Sequence, residues 1–136
     1  MTLEIIPVKD PEAILSRTNG FTERETHIMR EAMKASTYMW IVEWNGELVA
    51  FWGVIPITLS SSTVYLWLYT LPELKGCALA FARKSREVTT ATLGVYDKII
   101  GHCVESALAS HRWLRWCGAT FGEPFHGAIP FEIKAG

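Results

Sequence analysis

Residues 63–86 read TVYLWLYTLPELKGCALAFARKSR, and this stretch decides the fold that the sequence predicts. The apolar and aromatic run 63–70 predicts a strand, 71–75 predict a turn, and we expect a helix to open at Gly76-Cys77-Ala78. The first amides of a helix lack intrahelical partners and carry the positive end of its dipole. The stretch therefore predicts a site for an anion such as phosphate. The alternative is an ordinary strand-to-helix turn in which Gly76 only allows close packing.

The composition predicts one globular domain that can bury a continuous core. The chain has 136 residues, of which 49% are hydrophobic and 12% aromatic, which suits a single domain of this size. The formal net charge is -1, so we expect no nucleic-acid partner. We expect no secretory signal either. The cysteines are odd in number and lack zinc-ligand spacing, which predicts reduced core thiols in a cytosolic protein: Cys77, Cys103 and Cys117.

The uncharged interval between Glu47 and Glu73 has the length of a membrane span. Pro56 and the polar run 60–63 divide it into two pieces of strand length with alternating aromatic residues. We therefore expect two buried strands and no membrane insertion.

Local signals order the rest of the chain. Thr22 and Glu25 form a capping box that opens an amphipathic helix, and Asn45-Gly46 is typical of a two-residue type I′ hairpin turn. The predicted elements are strand 3–8, helix 11–17, a helix from 22, strands 38–44, 47–55 and 63–70, helix 76–94, strand 98–104, helix 106–117, and strands 120–121 and 129–133. The order β-α-α-β-β-β-α-β-α-β-β predicts an α/β (α+β) fold with a mixed, largely antiparallel twisted sheet flanked by helices.

This order resembles the topology of the GNAT superfamily of acyl-CoA transferases and implies a single GNAT-like domain over residues 1–136. Residues 73–78, Glu73-Leu74-Lys75-Gly76-Cys77-Ala78, are similar to the family's pyrophosphate loop. In that loop an Arg or Gln is followed three residues later by Gly, and two further on by Gly or Ala. Gly76 and Ala78 match this pattern, whereas Glu73 places a carboxylate where the family has a cation or an amide.

A second segment, residues 98–121, looks like the family's fifth strand and following helix. Within it, Arg112-Trp113-Leu114-Arg115-Trp116 and the later tail Pro130-Phe131-Glu132-Ile133 are more narrowly similar to small GNAT-like internal virion proteins of short-tailed phages. This resemblance implies a phage protein in the host cytoplasm, with packaging in the virion as an alternative.

The resemblance also implies acetyl-CoA as cofactor and an amine as acceptor. In the GNAT fold the cofactor arm lies between two splayed strands, here expected at 63–70 and 98–104. The pyrophosphate would lie on the amides of residues 75–78, with a nearby cation adding charge. The residues expected to bind the cofactor are Leu68, Tyr69, Lys75, Gly76, Cys77, Ala78 and Arg83, with Lys84 as an alternative cation.

A general base is required because a free ammonium, with a pKa of about 10, cannot attack until it loses a proton. His102 and Glu105 are the nearest candidates. The structural alternatives are a core histidine held by one hydrogen bond and an acidic residue favoured by a helix dipole. The family's usual proton donor, a tyrosine on the last helix, is replaced by Leu114. Tyr69 or Tyr65 could substitute, and a thiol with a pKa of about 8.5 can also leave as thiolate. We assign no metal.

Two functions from different classes follow. The first is an acetyl-CoA-dependent N-acetyltransferase that acts on a small amine or a host protein. The second is a catalytically silent phage virion or morphogenesis protein that binds another phage or host protein through the retained scaffold. The intact Gly76-x-Ala78 pattern favours the first function, whereas Glu73 and Leu114 favour the second.

Overall fold

The computed structural model describes residues 2–58 and 61–135 of the chain. Its elements are β1 (Leu3–Val8), α1 (Pro11–Leu15), α2 (Glu23–Ala35), β2 (Tyr38–Trp44), β3 (Glu47–Pro56), β4 (Thr63–Thr70), a 3₁₀-helix (Pro72–Cys77), α3 (Ala78–Leu93), β5 (Lys98–Val104), α4 (Leu108–Trp116), β6 (Thr120–Phe121) and β7 (Ala128–Lys134). The predicted order of strands and α-helices is confirmed. The 3₁₀-helix is an addition that the sequence pattern did not predict.

The strands form one seven-stranded sheet in the order β1-β2-β3-β4-β5-β7-β6. Strand β4 pairs with β5 in parallel, while β1 with β2, β2 with β3, β5 with β7 and β6 with β7 pair in antiparallel. The predicted mixed, largely antiparallel sheet flanked by helices is therefore confirmed. Internal contacts divide the chain into an N-terminal unit, Met1–Ile55 with Trp67–Ala78, and a C-terminal unit, Pro56–Leu66 with Leu79–Gly136.

The core of the N-terminal unit lies where α1 and α2 meet apolar strand residues. Met29 and Met33 of α2 are buried together with Ile14 and Phe51, which are fully inaccessible. Full burial of such side chains contributes roughly 1.5–3 kcal/mol each. The capping box that opens α2 is present, because the Thr22 hydroxyl accepts from the Glu25 amide and the Glu25 carboxylate accepts from the Thr22 amide, each at 3.1 Å.

A tryptophan of β4 is fixed within the N-terminal unit by two neighbours. The indole N–H of Trp67 donates to the Ser36 hydroxyl at 2.8 Å. Gly53 lies against the indole ring so closely that a Cβ there would be 2.6 Å from it. Glycine at this position is therefore required by packing rather than by backbone conformation.

The C-terminal unit packs α3 and α4 with a second tryptophan. The ring of Trp113 stacks on Phe81 at 5.5 Å, and its indole N–H donates to the Ser85 hydroxyl at 2.6 Å. Leu114 and His111, on the same helix, are buried. The His111 Nε2–H donates to the Val104 carbonyl at 2.9 Å and so ties α4 to the end of β5.

Three helix boundaries differ from the sequence prediction by two residues each. Helix α1 ends at Leu15 rather than Arg17, because the amides of Arg17 and Thr18 bond to carbonyls three residues back, as in a 3₁₀ turn. Helix α3 begins at Ala78 rather than Gly76, after the 3₁₀-helix. Helix α4 begins at Leu108 rather than Ser106, because a turn follows β5.

The uncharged interval of the sequence forms strands β3 and β4, as predicted. Within β3, residues 48–54 are all buried. No helix in residues 2–58 or 61–135 is long and apolar enough to cross a bilayer. The predicted connection 56–62 includes residues 59–60, which lie outside the described residues. The cysteines are free: Cys77 and Cys117 are buried and Cys103 is half-buried.

Candidate functional site

Strand β5 carries the candidate site of the C-terminal unit. Its parallel register with β4 contains three residue pairs and ends at Tyr65–Ile100. Beyond Ile100, β5 continues to Val104 and pairs with β7 along its other edge. Gly101 begins this second part, and a Cβ there would lie 2.5 Å from the Phe131 ring. Glycine therefore lets β5 lie close to the aromatic core at the point where its pairing with β4 ends.

His102 and Tyr65 meet on one face of this sheet. Tyr65 lies opposite Ile100, and His102 follows two residues later, so strand alternation directs both side chains to the same face. The Tyr65 hydroxyl and His102 Nδ1 are 3.1 Å apart, with ring centroids separated by 5.8 Å. Burial raises the pKa of the Tyr65 phenol, so at neutral pH it remains a neutral hydrogen-bond partner.

The contact assigns different roles to the two imidazole nitrogens of His102. Nδ1 is held by Tyr65. When Nδ1 carries the ring proton, it donates to the phenol oxygen, and Nε2 then has a lone pair that can accept a proton. The His102 side chain is exposed, so Nε2 can reach a bound molecule. The pair therefore has the arrangement of a positioned general base.

An open cavity of about 420 Å³ adjoins His102, which we call the C-terminal cavity. Its volume falls in the range of small-molecule sites. The residues that line it are Ile100, Gly101, His102, Thr120, Phe121, Gly122, Pro130, Phe131 and Glu132. Most of its wall is apolar, and His102, Thr120 and Glu132 supply its polar side chains.

Glu132, on the wall of this cavity, is held by two lysines. Its carboxylate lies 3.2 Å from Lys134 Nζ and 3.6 Å from Lys98 Nζ. The hydrogen bond from Lys134, with the positive charge of both lysines, lowers the pKa of Glu132. The three side chains together carry a charge of about +1 at neutral pH.

The predicted catalytic residues fall in both units. His102 and Glu105 belong to the C-terminal unit, where Glu105 lies in the turn after β5 and its amide donates to the Gly127 carbonyl at 2.8 Å. Tyr69 belongs to the N-terminal unit. Its ring stacks on Phe51 at 5.7 Å and meets the edge of Phe21 at 5.3 Å.

The predicted cofactor residues also divide between the units. Leu68, Tyr69, Lys75, Gly76, Cys77 and Ala78 belong to the N-terminal unit, whereas Arg83 is exposed on α3 in the C-terminal unit. Glu73 is exposed and lines a second cavity of about 490 Å³, whose wall also includes Arg17 and Glu47. Leu114, at the position where the sequence resemblance implies a tyrosine, is a buried core residue.

No family model and no curated protein matches this sequence, but solved structures match nearly its whole length. An IAA acetyltransferase from Bacillus cereus is similar with a TM-score of 0.74 and 11% identity, over 98% of this chain and 100% of that one. A chimera of the spermidine N-acetyltransferase SpeG from Vibrio cholerae and hSSAT is similar with a TM-score of 0.68 and 14% identity, over 97% of this chain and 95% of that one. The N-acetyltransferase PseH of Campylobacter jejuni is similar with a TM-score of 0.65 and 13% identity, over 98% of this chain and 99% of that one.

The fold is that of the GNAT acetyltransferases. Within this GNAT fold, the 3₁₀-helix changes what the predicted phosphate loop can offer. A 3₁₀-helix uses its amides in bonds to carbonyls three residues earlier, the first being Leu74 N–H to Leu71 O at 3.0 Å. The expected row of unpaired amides at residues 75–78 is therefore largely used inside the helix. Gly76 thus lies inside a 3₁₀-helix that begins at Pro72, whereas the sequence pattern predicts a turn at 71–75 and a helix from Gly76.

Gly76 nevertheless fits contact with a phosphate group. Its φ is not positive, and a Cβ built on it would meet no atom within 4 Å. Glycine costs about 1 kcal/mol relative to alanine inside a helix, so neither packing nor backbone conformation explains it. The surface beside Gly76 is open, and the exposed Lys75 adds a positive charge next to it.

Proposed function

We propose that this protein is an N-acetyltransferase that transfers the acetyl group of acetyl-CoA to the amine of a small molecule or a host protein. The observation that carries the proposal is the hydrogen bond between Tyr65 and His102 Nδ1 beside the C-terminal cavity. A positioned imidazole beside a cavity of ligand size is what deprotonation of an amine requires. The GNAT-type fold supports the same reaction class by analogy.

Lys75 and Gly76 are the residues that would hold a phosphate of the cofactor, with Cys77, Ala78 and Arg83 as further candidates from the sequence. Leu68 and Tyr69 are the candidates along the strand that would follow the cofactor arm. When bound, acetyl-CoA supplies an acetyl thioester whose carbonyl carbon accepts a nucleophile.

His102 supplies the proton transfer in this proposal. Its Nε2 would accept the proton that an acceptor ammonium must lose. With acetyl-CoA bound, formation of the C–N bond would be matched by cleavage of the C–S bond, and the second proton of the attacking nitrogen would be released to solvent. Tyr65 is the positioning residue, because its phenol oxygen accepts from Nδ1–H and keeps the lone pair on Nε2. Glu105 is the alternative base, and the departing thiolate takes its proton from water or from a tyrosine hydroxyl.

The proposal is tested with Gly76→Phe. Because no atom lies within 4 Å of a Cβ at Gly76, we expect the variant to keep the melting temperature of the parent protein. It should lose acetyl-CoA binding measured by calorimetry, since the ring covers the surface proposed for the phosphate. Val95→Phe, at a position that is 68% exposed, is the matched control and should bind like the parent. Absence of heat with the parent protein at millimolar acetyl-CoA would refute a CoA-dependent role.

A second function remains as the alternative: a catalytically silent GNAT-fold phage protein that binds another protein during virion assembly. The burial of Leu114 favours it, because this position has no proton to give. Exposed apolar side chains of the C-terminal unit favour it as well: Val104, Leu108 and Phe125 are 61%, 64% and 74% exposed. Under this proposal the protein would act in the host cytoplasm or be packaged in the virion.

The two proposals differ in what the exposed apolar residues do. Replacing Val104 and Leu108 by serine should leave acetyl transfer unchanged if the protein is an enzyme. The same double variant should lose co-purification with phage particles if the protein is a virion component. A wild-type protein absent from purified particles would refute the virion role.

A further inference from the structure

We infer that the C-terminal cavity selects a monoamine with an apolar body and discriminates against diamines and polyamines. This inference rests on the proposed N-acetyltransferase function, because it names the class of acceptor. It concerns the described residues that line one cavity within the C-terminal unit.

The walls of the cavity suit an apolar acceptor. Ile100 and Pro130 are half-buried, occupy neighbouring strands and lie on the face of the sheet that carries His102. Such a surface gains free energy from covering apolar ligand atoms at about 25 cal/mol per Å². A second ammonium would lose its hydration against these walls without gaining a hydrogen-bond partner, which costs binding free energy. The lining therefore favours a hydrocarbon body over a chain that carries repeated charges.

The charge of the cavity points the same way. Glu132 is the only carboxylate among the nine lining residues, and Lys98 and Lys134 already neutralise it at 3.6 and 3.2 Å. A second ammonium would have to displace a lysine or approach a group of side chains with net positive charge. Recognition of a polyamine requires uncompensated carboxylates, which this lining does not offer.

One end of the cavity can still receive a single amine. His102 lies on its wall, and its proposed free nitrogen accepts a hydrogen bond from an amine that has lost its proton. The Thr120 hydroxyl is a second polar group of the wall. The cavity therefore offers His102 to a reacting amine and apolar side chains, Ile100 and Pro130, to the rest of the molecule.

The test compares pentylamine with cadaverine, the diamine that has the same carbon chain and one more ammonium. Binding is measured by NMR titration of the full chain without acetyl-CoA, following the resonances of Ile100, His102 and Thr120. We expect pentylamine to bind about tenfold more tightly, because the second ammonium finds no partner. Equal or tighter binding of cadaverine would overturn the inference.

A double variant, Lys98→Gln with Lys134→Gln, sharpens the test. It leaves Glu132 uncompensated and changes the local charge from about +1 to about −1. We expect cadaverine binding to strengthen about fivefold and pentylamine binding to strengthen less, because the one ammonium of pentylamine is proposed to lie at His102 and not at Glu132. The matched control is Lys9→Gln with Lys34→Gln, because both lysines are exposed and neither lines the cavity. The inference fails if the control gains as much cadaverine binding as the double variant.

These measurements separate the inference from the proposed function. If pentylamine binds selectively and no acetyl transfer occurs with acetyl-CoA, the cavity assignment stands and the enzyme proposal falls. If acetyl transfer occurs and cadaverine is acetylated faster than pentylamine, the enzyme proposal stands and the inference falls.

Discussion

Two tyrosines on strand β4 have the same chemistry and different surroundings. Tyr69 lies in the N-terminal unit between two phenylalanine rings, with Phe51 stacked at 5.7 Å and Phe21 edge-on at 5.3 Å. Tyr65, four residues earlier, lies in the C-terminal unit and shares a hydrogen bond of 3.1 Å with His102. Strand alternation gives both side chains the same face of β4.

The difference between Tyr65 and Tyr69 shows that the contacts of a side chain depend on its neighbours and not on its residue type or its position in the strand period. Tyr69 is 36% exposed, and its ring contacts with Phe51 and Phe21 contribute to stability. The imidazole beside Tyr65 gives its hydroxyl a hydrogen-bond partner, and the proposed function depends on this contact. The sequence predicts Tyr69 as a catalytic candidate, with Tyr65 as an alternative, whereas in the structure it is Tyr65 that contacts an imidazole.

The largest effect should come from Phe51→Ala, which breaks the aromatic cluster of the N-terminal unit. Phe51 is fully buried and contacts both Tyr69 and Trp67. We expect a loss of about 3–5 kcal/mol in the free energy of unfolding, because the cavity left behind adds to the lost burial. Urea denaturation followed by tryptophan fluorescence measures this change.

The matched control for that variant is Phe125→Ala, the same substitution at a side chain that is 74% exposed. It should change the free energy of unfolding by less than about 0.5 kcal/mol. Equal effects of the two substitutions would contradict the burial difference between the positions.

A smaller effect is expected at the polar pair. His102→Asn should lower kcat for acetylation of an amine by about 100-fold, the lower end of what a general base contributes. The melting temperature should change little, because His102 is exposed. Glu105→Gln tests the alternative base, and a larger loss of kcat in that variant than in His102→Asn would transfer the role to Glu105.

The two tyrosines themselves give the next test. Tyr65→Phe should lower kcat by up to about tenfold with KM unchanged, because one neutral hydrogen bond of roughly 1 kcal/mol orients the imidazole. Tyr69→Phe keeps the aromatic cluster and should leave kcat within about twofold. Steady-state kinetics on both variants measure the difference. The comparison fails if Tyr69→Phe loses more kcat than Tyr65→Phe.

The smallest effect concerns two exposed carboxylates, one in each unit. Arg30 lowers the pKa of Glu12 through a hydrogen bond, and Lys134 does the same for Glu132. A lowered pKa in the folded state stabilises the protein above the ordinary glutamate pKa, and this contribution is lost as the pH falls through the folded-state value. Glu12→Gln and Glu132→Gln should therefore each lower the melting temperature slightly at pH 7.

The same substitutions should have no effect at a pH below both pKa values, where each glutamate is protonated in the parent protein. Melting curves across the acidic range check this expectation. A difference from the parent that persists unchanged at low pH would show that packing, and not charge, causes the effect.

The sequence predicted those parts of the fold that short-range chemistry controls. The box formed by Thr22 and Glu25 opens α2, and Asn45-Gly46 has positive φ at both residues, 53° and 85°, as a type I′ turn requires. The 3₁₀-helix was missed, because the proline and glycine of residues 71–77 suggest an irregular turn and only the backbone bonds distinguish the two.

The candidate site was predicted only in part. His102 was named from its residue type and its place on a strand. The hydrogen-bond partner of His102 depends on the register of β4 with β5, which pairs Tyr65 with Ile100. No signal in the sequence specifies this register. The neutralisation of Glu132 likewise depends on strands that bring Lys98 and Lys134 to one carboxylate.

By itself the sequence determined the order of elements, the hairpin turn and the capped helix, because each depends on residues within a few positions of one another. Tertiary structure alone decided that Tyr65, 37 residues from His102, becomes its hydrogen-bond partner, while Tyr69 joins an aromatic cluster. The physical reason is that the contacts of a side chain depend on which distant residues the sheet register places beside it. Local propensity contains no information on that register.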